Sequence, residues 1–110
     1  MVRKVDFCGV NSGKEVDKFR SCDFNPEDPR AISSPMIREC PVSIECVVKD
    51  VRRLGSHDMF LGEVLAVHAD DAVLDKDGRI DFKKAEPIVY CQGQYWSLGA
   101  MLGEYGFSKR

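Results

Sequence analysis

Apolar and polar residues alternate in two long stretches of this chain. In the first, Val42, Ile44, Cys46 and Val48 point one way, and Ser43, Glu45 and Lys49 point the other. In the second, residues 58–68, both faces are apolar: Met59, Leu61, Leu65 and Val67 oppose Phe60, Val64 and Ala66. Such a run predicts a strand covered on both sides, and Gly62 within it predicts a bend or bulge. Leu54-Gly55-Ser56 between the two reads as a turn, so they pair as an antiparallel hairpin. A second hairpin is expected from residues 88–91 and 94–98, which bracket a tight turn at Gln92-Gly93.

The N-terminal part has a shorter pattern. Residues 4–10 read as a strand, with Val5 and Phe7 against Cys8 and Val10. Ser12-Gly13-Lys14-Glu15 has the form of a capping box, which predicts a short helix with Val16 and Phe19 as its apolar stripe. Asn25-Pro26 ends that helix. Four of the five prolines fall between Pro26 and Pro41, marking irregular connection. The 110 residues divide accordingly within one domain: 1–24, a strand and a short helix; 25–41, the connection; 42–110, hairpins and a glycine-bearing tail with at most a frayed helical turn. The expected fold is mainly β, a partial antiparallel β-barrel with one short helix.

Composition narrows the function classes. No apolar run approaches the roughly 20 residues that cross a bilayer. Sixteen basic residues against eighteen acidic ones leave a net charge of -2, without the basic surplus of non-specific nucleic-acid binders. Neither membrane nor nucleic acid is expected as a partner. No signal-type apolar region follows Arg3-Lys4, because Asp6 interrupts it, and the expected location is cytoplasmic. Five cysteines at irregular spacing contain no C-x-x-C pair and read as small buried hydrophobes in a reducing compartment.

The local motifs are individually bland. Residues 75–81 imitate a calcium loop, with Gly78 at position 6 and Ile80 at position 8, but Val73 and Lys84 then occupy the positions of an aspartate and the bidentate glutamate. The stretch reads instead as an acidic turn reversed at Asp77-Gly78. Ser56-His57-Asp58 cannot form a hydrolytic triad, since adjacent residues do not converge. His57 reads as a turn residue and His68 as a part-buried, hydrogen-bonded histidine, so no metal site is expected. Tyr95-Trp96 offers stacking surface or fills a core or subunit interface. Phosphate-cradling glycine motifs are absent from the sequence.

The ordered set of segments carries more than any one of them. Residues 39–46 (ECPVSIEC), 54–64 (LGSHDMFLGEV), 66–70 (AVHAD), 74–81 (LDKDGRID), 87–90 (PIVY) and 93–99 (GQYWSLG), with SGKEVDKF upstream at 12–19, resemble the flavin reductase-like family, in particular its flavoredoxin branch. The resemblance implies an FMN-binding split barrel, a homodimer, and electron transfer between a nicotinamide cofactor, NAD(P)H, and the flavin or an acceptor. It implies that His57 serves catalysis and that Ser56, His57, Asp58 and Phe60 border the cofactor. Tyr95 and Trp96 are implied near the flavin or the dimer seam. In the family, a section preceding the Ser12-Gly13-Lys14 region carries barrel strands and most flavin-holding groups. It has no counterpart here, so completion by a second copy or a second polypeptide is expected. The alternative is a truncated, non-catalytic half-barrel acting as a dimeric or partner-binding module. Lys14, Lys18, Arg52 and Arg53 are the cations left for a phosphate.

Overall fold

The computed structural model describes residues 1–109. Its largest element is a hairpin of two twelve-residue strands, β3 (Val42–Arg53) and β4 (Asp58–Ala69), paired antiparallel from Val42↔Ala69 to Arg53↔Asp58. Register shifts fall between Glu45 and Cys46 and between Val48 and Asp50. Gly62 pairs with Val48 beside the second shift, and a Cβ there would lie 3.1 Å from Cys46 Cβ. The glycine thus serves both the irregularity and a close approach of the two strands. A four-residue connection closes the hairpin: Leu54 N–H donates to His57 C=O (3.0 Å), and Gly55 adopts φ +97°.

The second hairpin, β5 (Ile88–Cys91) and β6 (Gln94–Ser97), turns at Gln92-Gly93. Both turn residues have positive φ, 50° and 74°, the geometry that matches strand twist in a two-residue turn. A third, minimal ladder joins β1 (Pro26–Glu27) to β2 (Met36–Ile37) inside the proline-rich connection. The three sheets are two-stranded and unclosed, so each strand keeps one open edge. Between the large hairpins, Asp75 organises its own turn by accepting from Asp77 N–H and Arg79 N–H, both at 2.9 Å. These bonds hold its carboxyl below the usual range, the Arg79 amide most. Asp81 caps the short α3 (Phe82–Ala85). No described helix is long and apolar enough to cross a membrane.

Two expectations for the N-terminal part are corrected. Residues 4–10 are not a strand but lie in helix α1 (Val2–Val10). Lys4, Phe7 and Cys8, spaced i, i+3 and i+4, are its half-buried face. Its C-terminal carbonyls are satisfied from outside: Asn11 donates to Phe7 C=O from its backbone (3.2 Å) and its amide (2.9 Å). Lys18 Nζ donates to Cys8 C=O (2.6 Å), a cation at the helix's negative end. Nor does a helix start at Ser12, which builds only an isolated turn. The short helix is α2 (Lys18–Ser21), capped by Asp17, which accepts from Arg20 N–H (3.1 Å). With α3 there are three α-helices among the described residues rather than one, besides two 3-10 turns at Asp71–Val73 and Phe107–Lys109.

Burial differs most from expectation. Among the described residues only Cys22, Val73 and Glu45 are fully buried. β4 is not covered on both sides: residues from Met59 to Leu65 are exposed, Phe60 at 61% and Val64 at 56%. Ile44 and Val48 on β3 are also exposed. The alternation is real, but the layers that would cover it are not supplied by these residues.

Candidate functional site

Two places on the β3–β4 hairpin concentrate polar side chains. At its tip, Ser56 Oγ and His57 Nδ1 lie 2.9 Å apart, both exposed. With Ser56 donating, the ring hydrogen sits on Nε2, facing away from the serine. Asp58 opens β4 opposite Arg53, and Phe60 lies opposite Val51, its ring exposed. Ser56, His57, Asp58 and Phe60 are therefore brought to one turn and the strand leaving it.

Tyr95 and Trp96 stand on a different sheet. Among the described residues, no hydrogen bond, ion pair or ring contact joins them to the tip. Tyr95 stacks obliquely on its cross-strand neighbour Tyr90, ring centres 5.2 Å apart. Its hydroxyl donates to Asp6 Oδ1 (3.0 Å), which pins the second hairpin to α1. Burial, then the Asp6 carboxylate, raises the phenol above its ordinary value. Trp96 is 58% exposed and fills no core of this chain.

At the base of the hairpin is a constellation that periodicity does not reveal. Glu45, which shares the polar face of the strand with Ser43 and Lys49 in the sequence pattern, is 1% exposed. Its carboxylate accepts from three successive backbone N–H groups, Arg30 (3.0 Å), Ala31 (2.7 Å) and Ile32 (3.1 Å), and from His68 Nε2. These bonds, the Ala31 amide first, outweigh burial and hold the carboxyl down at about 2. His68 is the part-buried, hydrogen-bonded histidine that its position implied. It also lines a small cleft with Cys40, Ser43 and Asp70, where burial pushes the Cys40 thiol up. Nearby, Glu39 accepts from Asn25 N–H (3.0 Å) and Asn25 Nδ2 (2.6 Å), and those bonds lower its carboxyl. Two carboxylates thus fasten the irregular connection, Glu39 at its start and Glu45 near its middle. A glutamate on the polar face of an otherwise apolar strand was the only sequence signal.

A flavin mononucleotide needs a flat apolar wall, donors at the ring edge and cations for its phosphate. Phe60 and Trp96 present exposed aromatic faces, and Ser56 and His57 present donors. Of the four candidate cations, Lys18 is held on Cys8 C=O and Arg52 pairs with Asp50 (2.8 Å). Lys14 and Arg53 have no ion pair among the described residues. Ser56, His57 and Phe60 thus bring donors and an aromatic face of the kind a flavin ring takes to one turn, while Trp96 stands on the separate second hairpin. Among the described residues, no cluster of three or more His, Cys, Asp or Glu could hold a metal.

The chain is similar in structure to flavoredoxin of Desulfovibrio vulgaris (Miyazaki F), at 28% identity and TM-score 0.89, covering 99% of this chain and 59% of that one. It is similar to flavoredoxin from Methanosarcina acetivorans, at 31% identity and TM-score 0.86, covering 100% and 59%. An uncharacterised protein of Aquifex aeolicus is 32% identical over 94 residues, 84% of this chain and 47% of that protein. The chain spans about half the length of the curated relatives it matches. The family model for the flavin reductase like domain matches residues 1–99, and the chain belongs to that family, which implies a flavin cofactor.

Proposed function

We propose that this chain is a flavoredoxin-like FMN-binding unit, a partial split barrel that transfers electrons between a nicotinamide cofactor and flavin or an acceptor. The observation that carries the reading is the exposed Ser56–His57 pair at the end of an apolar hairpin, in a chain that folds as two flavoredoxins do. Bound flavin supplies the reversible electron and hydride chemistry. The protein's part is positional. Ser56 orients the His57 ring, and His57 Nε2 donates to a cofactor edge or delivers a proton there. Phe60 excludes water from one face. Arg53 and Lys14 neutralise the phosphate. A second copy of the chain covers Ile44, Val48, Val64 and Val67, with Trp96 at the seam, because apolar strands this exposed are stable only when covered.

The test is to purify the chain, record its visible spectrum, and titrate FMN while following Trp96 fluorescence and mass in solution. The expected result is a dimer whose single tryptophan is quenched on saturation. A well-folded dimer that binds no FMN contradicts the reading. With FMN bound, His57→Ala lowers NADH turnover more than flavin affinity, and equal loss of both removes His57 from the role given to it.

A second reading rests on the open strand edges of all three sheets. An unpaired edge accepts a strand from another protein, and a non-catalytic half-barrel would use it so. That reading expects a stable complex with a second polypeptide and no flavin dependence.

A further inference from the structure

Cys8 and Cys22 belong to different helical segments, yet their sulfurs lie 3.7 Å apart. Cys8 sits on the half-buried face of α1, and Cys22 immediately follows α2. The two thiols differ in access: Cys22 is 5% exposed, whereas Cys8 is only half-buried. Cys22 Sγ also approaches Lys4 C=O (3.9 Å). Lys18 Nζ on Cys8 C=O supplies a cation beside the pair. A cleft lined by Arg3, Lys4, Phe7, Ser21, Cys22 and Asp23 opens next to it. Among the described residues, no other two cysteines are in sulfur contact: Cys40 is half-buried, and Cys46 and Cys91 are exposed on separate hairpins.

We propose that Cys8 and Cys22 are a redox-modification site that closes into a reversible intramolecular disulfide by exchange with an anionic low-molecular-weight disulfide of the glutathione type. The more accessible Cys8 thiolate attacks one sulfur of that disulfide. A mixed disulfide forms and one small thiolate leaves. Cys22, deprotonated in turn, attacks Cys8 Sγ, and the second small thiolate leaves. The protein loses two electrons and two protons, and the small disulfide becomes two thiols. Arg3 and Lys4, with Asp23, line the cleft beside Cys22 and leave it net positive toward an anionic reagent approaching the pair. Burial and the neighbouring Cys8 keep the Cys22 thiol above its ordinary value, consistent with Cys22 acting second. The product ties α1 to α2, and α1 in turn holds Tyr95 through Asp6.

The site is tested on the full chain, reduced, desalted and equilibrated with stepped ratios of reduced to oxidised glutathione, then alkylated and digested with trypsin. Cys8 and Cys22 fall in separate single-cysteine peptides, 5–14 and 21–30. The expected result is a mass loss of about 2 Da, with peptides 5–14 and 21–30 linked, the other three cysteines alkylated, and dithiothreitol restoring the reduced mass. In Cys22→Ser, Cys8 stops at the mixed disulfide with glutathione. The proposal is overturned if wild-type chain shows no such link under excess oxidised glutathione, or if Cys8 or Cys22 pairs with Cys40, Cys46 or Cys91 instead. The wild-type map alone decides this, even if the variant does not fold.

Discussion

The two ends of the β3–β4 hairpin have opposite chemistry. At the base, Glu45 is inaccessible to water and its acceptor capacity is filled by three amides and His68. Its neighbours belong to the connection that precedes the strand, so one carboxylate fixes a segment with almost no regular structure of its own. At the tip, the side chains of Ser56 and His57 bond only each other among the described residues, and Phe60 faces solvent. The same strand pair thus has a part-buried histidine held by a carboxylate at one end and an exposed one, bonded only to a serine hydroxyl through its side chain, at the other. Satisfied buried polar groups rigidify a segment, and exposed ones keep their hydrogen-bonding capacity for water or a ligand.

Substitutions at the base should separate these ends most sharply. Glu45→Ala leaves the amides of Arg30, Ala31 and Ile32 and the His68 ring without their acceptor, and the expected loss of Tm is roughly 15 °C, read by thermal unfolding. An unchanged Tm would mean that the connection does not depend on the carboxylate. Acid should act on the same end. The Glu45 carboxyl is depressed from 4.5 to about 2, so its contribution is fully present above about pH 5 and is lost as pH falls toward 2. Unfolding curves across that window should fall in wild type and flatten in Glu45→Gln.

Smaller effects are expected toward the tip. His57→Ala removes no buried contact, so stability should change by about 0.5 kcal/mol or less in denaturant titration. The Lys49–Glu63 pair is short, 2.7 Å, but both side chains are more than half exposed. Lys49→Ala should therefore cost no more than about 0.5 kcal/mol, and less in high salt. A large loss at either position would erase the distinction between the ends.

What was legible in the sequence follows from the range of each interaction. Both large hairpins were readable because a period of two and a local turn suffice, Gln92-Gly93 most clearly. Gly62 marked a bulge for the same reason. Residues 4–10 read as a strand and fold as part of α1 because Val5, Phe7, Cys8 and Val10 satisfy a short alternation as well as a helical face. Only its docking against Cys22 decides between them. Ser12 and Glu15 have the right spacing for a capping box, but the chain bends again before a helix begins at Asp17. The cover expected over β4 was inferred from apolarity alone, which shows what a strand needs and not which chain provides it. Glu45 and Tyr95 were opaque for a different reason. Glu45's partners lie 13 to 23 residues away in sequence and the acceptor of the Tyr95 hydroxyl 89, and no local pattern encodes such distances.

Hydrogen exchange on the full chain, with and without FMN, tests the contrast between the ends most directly. The amides of Arg30, Ala31 and Ile32 should be protected in both states, and those of residues 54–61 should exchange quickly until FMN slows them. Rapid exchange at Ala31 and Ile32, or no change at 54–61 with FMN bound, would contradict the assignment of a structural base and a functional tip.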